Sequence, residues 1–289
     1  MKKRPFLKAV LLLSCLFAPG ILLANGTAVV STEHVTVTLL SEQEKAVPEQ
    51  TLWLALHFEL IPHWHIYWQN PGASGRAPVI HWTLPKGWEI GEIHWPVPKR
   101  IRVGPLTNYG YEDAVSLLLP VEVPPGALPE GPQTITADAE WLVCRIECIP
   151  ENGRFTLALN NTGSGAITTT EMHELFTTAR TQWPEKNALK GHYRLAGDAL
   201  ELSTGIPGTM TRAVADVWFA ASEWGPVDAS GVQHWGQTGT AVTLTVPAGD
   251  VPPAGDIPLQ GLLVVESEHN GTPVRNGYQL QLAAQPPAS

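Results

Sequence analysis

The chain has 289 residues, and its 27 acidic residues outnumber its 18 lysines and arginines, which gives a net charge of −9. Such an acidic chain is a poor binder of nucleic acid and of anionic membranes, so these partners are excluded. Its length suffices for two separate cores. Proline and glycine, at 26 each, separate many short runs of alternating apolar residues, which favours an all-β fold class.

Residues 1–24 have the layout of a secretory signal peptide. A basic start is followed by an apolar run over 9–18 and by a small residue, Ala24, after which we expect cleavage. The run is shorter than the roughly 20 residues of a membrane-spanning helix. Cleavage changes the net charge from −9 to −13 by removing Lys2, Lys3, Arg4 and Lys8. We therefore expect a periplasmic mature chain without a membrane span, and a looser lipoprotein pattern at Cys15 is the alternative.

Residues 51–60 show the clearest strand pattern in the chain. Apolar residues occupy every second position from Leu52 to Leu60, and polar residues lie between several of them. This alternation predicts a strand with one buried face. Turn sequences separate it from similar runs near 33–40, 79–84, 114–123, 133–143 and 153–159. The spacing predicts an immunoglobulin-like β-sandwich over residues 25–160.

The pattern changes after residue 160. Residues 160–167 have the composition of a linker, and Met172, Leu175, Phe176 and Ala179 have the spacing of an amphipathic helix. We assign residues 161–189 to linker and helix. The β pattern resumes near 190 without any cysteine, and it predicts a second immunoglobulin-like sandwich over residues 190–289.

Two cysteines, Cys144 and Cys148, remain after the leader is removed. Residues four apart in a straight strand are separated by about 13 Å, whereas a disulfide needs Cα atoms within about 7 Å. If the two cysteines bond, the chain must bend, and we predict a bend at 145–147 with a new strand from about Arg154. A loop this short restrains the unfolded chain little, so both a structural and a redox role are open.

Four segments in order carry a resemblance to a known family. They are WHIYWQNPGASG at 64–75, WPVPKR at 95–100, NYGYE at 108–112 and WLVC…CIPE at 141–151. They resemble the amino-terminal periplasmic region of the DsbD-like membrane thiol:disulfide reductases, and especially the suppressor-of-copper-sensitivity ScsB proteins. The resemblance covers roughly residues 30–160.

The resemblance implies a protein-disulfide reductase component of the periplasm, from a family linked to cytochrome c biogenesis and copper tolerance. Cys144 and Cys148 match the family's redox pair. They would pass reducing equivalents from a membrane-embedded electron-transfer domain, in the same longer chain or separate, to thioredoxin-fold partners such as ScsC-like proteins. No cofactor is implied, and the match does not show which cysteine attacks first.

Other residues leave alternatives open. Tyr109, Tyr111 and Trp141 are expected either to wall the cysteine site or to fill the sandwich core. His63 and His65 would face one side of an extended segment, but two ligands make a weak metal site, and none is predicted. Eleven tryptophans are compatible with carbohydrate binding. The alternative function is therefore a non-enzymatic binding module, for copper or carbohydrate, with a structural disulfide.

Overall fold

The computed structural model describes residues 28–126, 128–159, 170–207, 214–253, 257–269 and 272–285. The predicted signal peptide and the linker at 160–167 lie outside these residues. Within them, no helix has the length and apolar character to cross a membrane. The described elements are one helix, α1 (Thr170–Thr181), and the strands β1 (Ala28–Ser31), β2 (Val35–Ser41), β3 (Thr51–Leu60), β4 (His65–Gly72), β5 (Val79–Thr83), β6 (Glu89–Ile90), β7 (Lys99–Val103), β8 (Leu106–Glu112), β9 (Ala114–Glu122), β10 (Gln133–Cys144), β11 (Cys148–Leu159), β12 (Glu185–Ala196), β13 (Ala199–Gly205), β14 (Val214–Ala221), β15 (His234–Thr238), β16 (Ala241–Pro247), β17 (Leu259–His269) and β18 (Thr272–Ala284).

Two sheets form the first half of the structure. One has the strand order β1-β2-β3-β9-β6, and the other has the order β11-β10-β4-β8-β7, with β5 paired to β10. Their inner faces enclose one core, to which β3 contributes the alternating residues predicted from the sequence, including Leu54 and Phe58. Trp68 and Trp141 fill this core from the second sheet. The predicted all-β, immunoglobulin-like fold class is confirmed.

The helix α1 covers the outer face of the first sheet. Phe176 and Ala179 are buried against Leu40, Ala55 and Leu118, which point away from the main core. Near the end of the helix, the guanidinium of Arg180 makes two hydrogen bonds, of 2.6 and 2.7 Å, to the carboxylate of Glu42. The predicted amphipathic helix is therefore present, and its apolar side anchors it to the sandwich.

The second half of the structure is a seven-stranded sheet. Its order is β14-β17-β18-β12-β13-β16-β15, and β12 and β18 are the parallel pair within the described part of this sheet. The sheet folds back on itself, because β14 also contacts β15 and β16. This closure encloses a second core that includes Tyr193, Phe219, Leu244 and Leu280. A single hydrogen-bonded sheet thus supplies both of the layers that enclose the second core.

The two halves share a buried interface. Trp218 and Leu262, from the outer face of the second half, belong to the core of the first. The ring of Trp218 stacks on Tyr109, with centroids 5.6 Å apart, and the Arg100 guanidinium lies 4.8 Å above it. Arg100 also forms an ion pair with Asp216. This combination of aromatic and charged contacts fixes the second half against strands β7 and β8.

Candidate functional site

The two cysteines close a tight hairpin. Strand β10 ends at Cys144, strand β11 begins at Cys148, and the two are bonded register partners with Cα atoms 4.2 Å apart. The backbone N–H of Arg145 donates to the carbonyl of Glu147 at 3.1 Å, which closes the turn. The bend predicted at 145–147 is therefore present, and so is the disulfide.

The start of the next strand was predicted wrongly. The structure begins β11 at Cys148 rather than near Arg154, so the hairpin pairing includes Pro150 opposite Leu142. Proline is tolerated there because β11 lies at the edge of its sheet, where one side of the strand needs no ladder hydrogen bond. The long pairing makes the hairpin a firm support for the disulfide at its tip.

The two cysteine residues differ in exposure. Cys144 is 2 % exposed, whereas Cys148 lies on the exposed side of the turn together with Arg145 and Glu147. Ile146, at the tip, is 84 % exposed. A protein that approaches the hairpin therefore meets an isoleucine side chain and Cys148, while Cys144 stays behind them.

Tyr67 supplies the polar contact of the disulfide. Strand β4 pairs with β10 through His65 and Cys144, and Tyr67 lies two residues further along the same face. Its hydroxyl lies 3.2 Å from the Sγ atom of Cys148. Because a disulfide sulfur carries no hydrogen, the hydroxyl is the donor. Burial raises the pKa of Tyr67, against an opposing hydrogen bond to Ser74, so the phenol keeps its proton.

A short loop holds the Tyr67 ring in place. Gly75 has a φ of 94°, and a Cβ atom at this position would overlap the ring. The preceding Ser74 is fixed by Asn108, whose Oδ1 accepts from the Ser74 backbone N–H at 3.1 Å and from its hydroxyl at 3.0 Å. A glycine is required here both for its backbone conformation and for its lack of a side chain.

His65 completes the buried side of the site. It is 2 % exposed, and its ring makes an edge contact with Tyr67 at 5.2 Å between centroids. Its Nε2 atom has no hydrogen-bond partner among the described residues. Burial lowers the pKa of His65, although the charge of Glu112 opposes this effect, so the imidazole is neutral at neutral pH.

The aromatic residues expected to wall the site lie elsewhere. Tyr109, Tyr111 and Trp141 are part of the sandwich core, on the opposite face of the sheet from Cys144. The Tyr111 hydroxyl donates to the carbonyl of Pro96 at 2.8 Å. This placement corresponds to the core alternative. The aromatic residue that contacts the disulfide is Tyr67, which sequence reasoning did not select although its segment was recognised.

His63 and His65 do not share one side of a strand. His63 lies in a turn with a φ of 73°, and the strand begins only at His65, so the segment is not extended through both residues. Among the described residues there is also no group of three or more histidine, cysteine, aspartate or glutamate side chains that could hold a metal ion.

Comparisons with known proteins show which family and which solved structures these features resemble. Residues 36–160 match the family model of the thiol:disulfide interchange protein DsbD, N-terminal. Among solved structures, the N-terminal periplasmic domain of ScsB from Proteus mirabilis aligns with a TM-score of 0.67 and 17 % identity, over 90 % of this chain and 99 % of that one.

A second solved structure, the glucan-utilisation protein SGBP-B from Bacteroides ovatus, has 9 % identity and a TM-score of only 0.16, over 90 % of this chain and 64 % of that one. No curated protein matches the sequence. The resemblance predicted from the four motifs is confirmed: residues 36–160 match the DsbD N-terminal family, in a chain that has the fold of the ScsB periplasmic domain.

Proposed function

We propose that this chain carries out thiol–disulfide exchange in the periplasm through Cys144 and Cys148. The observation that carries the proposal is the asymmetry of the bonded pair: Cys148 is an exposed residue whose sulfur contacts the Tyr67 hydroxyl, and Cys144 is buried. The family match supports it, because the matched residues 36–160 include both cysteines. The ScsB likeness supports the periplasmic location.

The exchange would proceed in two steps from the reduced pair. The Cys148 thiolate attacks a partner disulfide, forms a mixed disulfide, and releases one partner sulfur, which takes up a proton. Cys144 then loses its proton and attacks the Cys148 sulfur. The intramolecular bond forms again, and the second partner sulfur leaves as a thiol. The partner gains two electrons and two protons in total.

The direction of transfer and the partners follow the family expectation. We propose that a membrane-embedded electron-transfer domain reduces the pair, and that thioredoxin-fold proteins of the ScsC type receive the electrons. The exposed side chain of Ile146 gives such a partner an apolar contact beside Cys148. An exposed contact of this kind suits repeated, short-lived encounters better than a permanent complex.

The reduction potential of the pair distinguishes exchange from a structural bond. It can be measured by alkylation gel shift in a series of thiol buffers. We expect a value between about −270 and −120 mV, the range of thioredoxin-like exchangers. A value well below about −300 mV would identify an inert structural disulfide and refute the proposal.

A trapping experiment tests the assignment of the two sulfurs. We expect Cys144→Ser to accumulate a mixed disulfide with a thioredoxin-fold partner, because Cys148 is accessible and nothing resolves the intermediate. Cys148→Ser is the matched control and should trap little, since Cys144 is buried. Equal trapping by both variants would contradict the assignment of Cys148 as the attacking residue.

A further inference from the structure

A cleft of about 670 Å³ lies between the two halves of the structure, away from the disulfide. One side is formed by Trp53, His94 and Trp183, and the other by residues of β17 and β18. This volume is within the range of small-molecule binding sites, and such sites are common where two domains meet. The thiol chemistry uses none of these residues.

Two indole nitrogens at this cleft need an acceptor. Trp68 and Trp183 both line it, and the Nε1 atom of each is buried without a hydrogen-bond partner among the described residues. Trp68 is 1 % exposed, so its N–H is shielded from bulk solvent. A buried N–H without an acceptor costs free energy, and tryptophan nitrogens usually find a partner when they are buried. Both nitrogens are closed to solvent in this structure, so a ligand oxygen reaches them only after a neighbouring side chain moves.

Aromatic rings form one side of the cleft. The His94 and Trp183 rings are inclined by 30° with centroids 4.5 Å apart, and Trp53 lies 5.7 Å from Trp183. Flat, rigid rings of this kind offer apolar contact area to a ligand at a low cost in conformational entropy. This side therefore suits a ligand with an apolar face.

Amide side chains form the other side. Gln260 pairs with Gln281, and Leu262 pairs with Gln279, so the three amides lie together on the outer face of β17 and β18. Each amide can donate and accept hydrogen bonds, as a hydroxyl group can. No hydrogen bond ties these amides to other described residues, so they are available to a ligand with many hydroxyl groups.

The charge of the cleft selects the ligand class. Glu92 is the one acidic residue among the described residues that line it, and no lysine or arginine is among them. An anion would therefore find no lysine or arginine among the described lining residues. We propose that this cleft binds a neutral oligosaccharide, whose C–H faces pack on the aromatic side and whose hydroxyl groups bond to the amides.

The test is a titration of the full chain, labelled with ¹⁵N, with three neutral trisaccharides: maltotriose, cellotriose and triacetylchitotriose. We expect at least one of them to shift the indole N–H signal of Trp183, assigned by its loss in Trp183→Phe, with a Kd of about 1 mM or tighter. The signal of Trp224, which is 61 % exposed and outside the cleft, should stay in place.

Substitutions of exposed glutamines inside and outside the cleft test whether the sugar binds there. Gln279→Ala with Gln281→Ala should weaken the affinity by about tenfold or more, whereas Gln285→Ala, outside the cleft, should leave it unchanged. Three results would each overturn the proposal: no saturable shift up to about 20 mM for any of the three sugars, unchanged affinity in the double variant, or equally tight binding of the anionic trisaccharide sialyllactose. Neither cysteine lines the cleft, so this test and the redox test can fail independently.

Discussion

Replacing Tyr67 with phenylalanine removes the hydroxyl that lies 3.2 Å from the Sγ atom of Cys148. In the reduced protein this hydroxyl would donate to the Cys148 thiolate, which is a much stronger acceptor than a disulfide sulfur. Hydrogen bonds to charged groups contribute about 1.5–3 kcal/mol. Since Cys148 is exposed to solvent, we take the lower end, about 1.5 kcal/mol, which is roughly a factor of ten in thiolate population.

The substitution lowers the reduction potential because the reduced state loses a stronger contact with the Tyr67 hydroxyl than the disulfide state does. Tyr67→Phe destabilises the reduced thiolate more than the disulfide, so the reduction potential should become more negative by about 30 mV. This difference should be measured near pH 9, where a cysteine of ordinary acidity is ionised. In a Cys144→Ser background at pH 7, alkylation of Cys148 should slow by only about threefold to fourfold, because the less stabilised thiolate is more nucleophilic.

Tyr111→Phe is the matched control for this experiment. It also removes a buried phenol hydroxyl from the same sheet, but on the core face, where the hydroxyl donates to Pro96. We expect it to reduce stability and to leave the potential and the alkylation rate unchanged. A Tyr67→Phe protein with the potential and the alkylation rate of the wild type would refute the role of the hydroxyl.

Three further predictions concern stability. Gly75→Ala should lower the free energy of unfolding by about 2 kcal/mol, because the new methyl group displaces the Tyr67 ring. The same displacement should slow alkylation of Cys148 as Tyr67→Phe does. An unchanged urea denaturation curve would contradict this prediction. The wild type should lose stability as the pH falls from about 7 to 5, since unfolded His65, with its ordinary pKa of 6.5, binds a proton that the buried ring resists. His65→Gln should lose less over that range, and an identical pH profile would argue against the effect. Arg100→Ala should cost about 1 kcal/mol by removing the partly exposed pair with Asp216 and the contact with the Trp218 ring; a double-mutant cycle with Asp216→Ala would separate the two contributions.

The alternation of apolar residues was sufficient to predict six strands of the first sandwich, β2, β3, β5, β9, β10 and β11, but it missed β1, β4, β6, β7 and β8. Strand β3 buries every residue from Leu52 to Leu60 that lies on the predicted face. It also buries Ala55 on the opposite face, because α1 covers that side. The pattern within one strand could not reveal this second contact, since it depends on an element more than 100 residues away in the sequence.

Which aromatic side chain lies beside the disulfide depends on the register of the strand pairing, and the sequence does not show that register directly. Only the pairing of His65 with Cys144 places Tyr67 on the cysteine face, and a shift by one residue would place it in the core. Trp141 is a different case. It lies three residues before Cys144 in one strand, an odd separation, so the period of two already predicts that the two side chains point to opposite faces.

The stack of Tyr109 on Trp218 has a consequence for how the chain unfolds. Both rings are almost fully buried, and they belong to one apolar cluster that extends through both halves of the structure. Neither half can melt without exposing part of this cluster, so calorimetry should record a single cooperative transition. A fragment that ends at residue 159 would leave the Tyr109 side of the interface open to water and would be prone to aggregation.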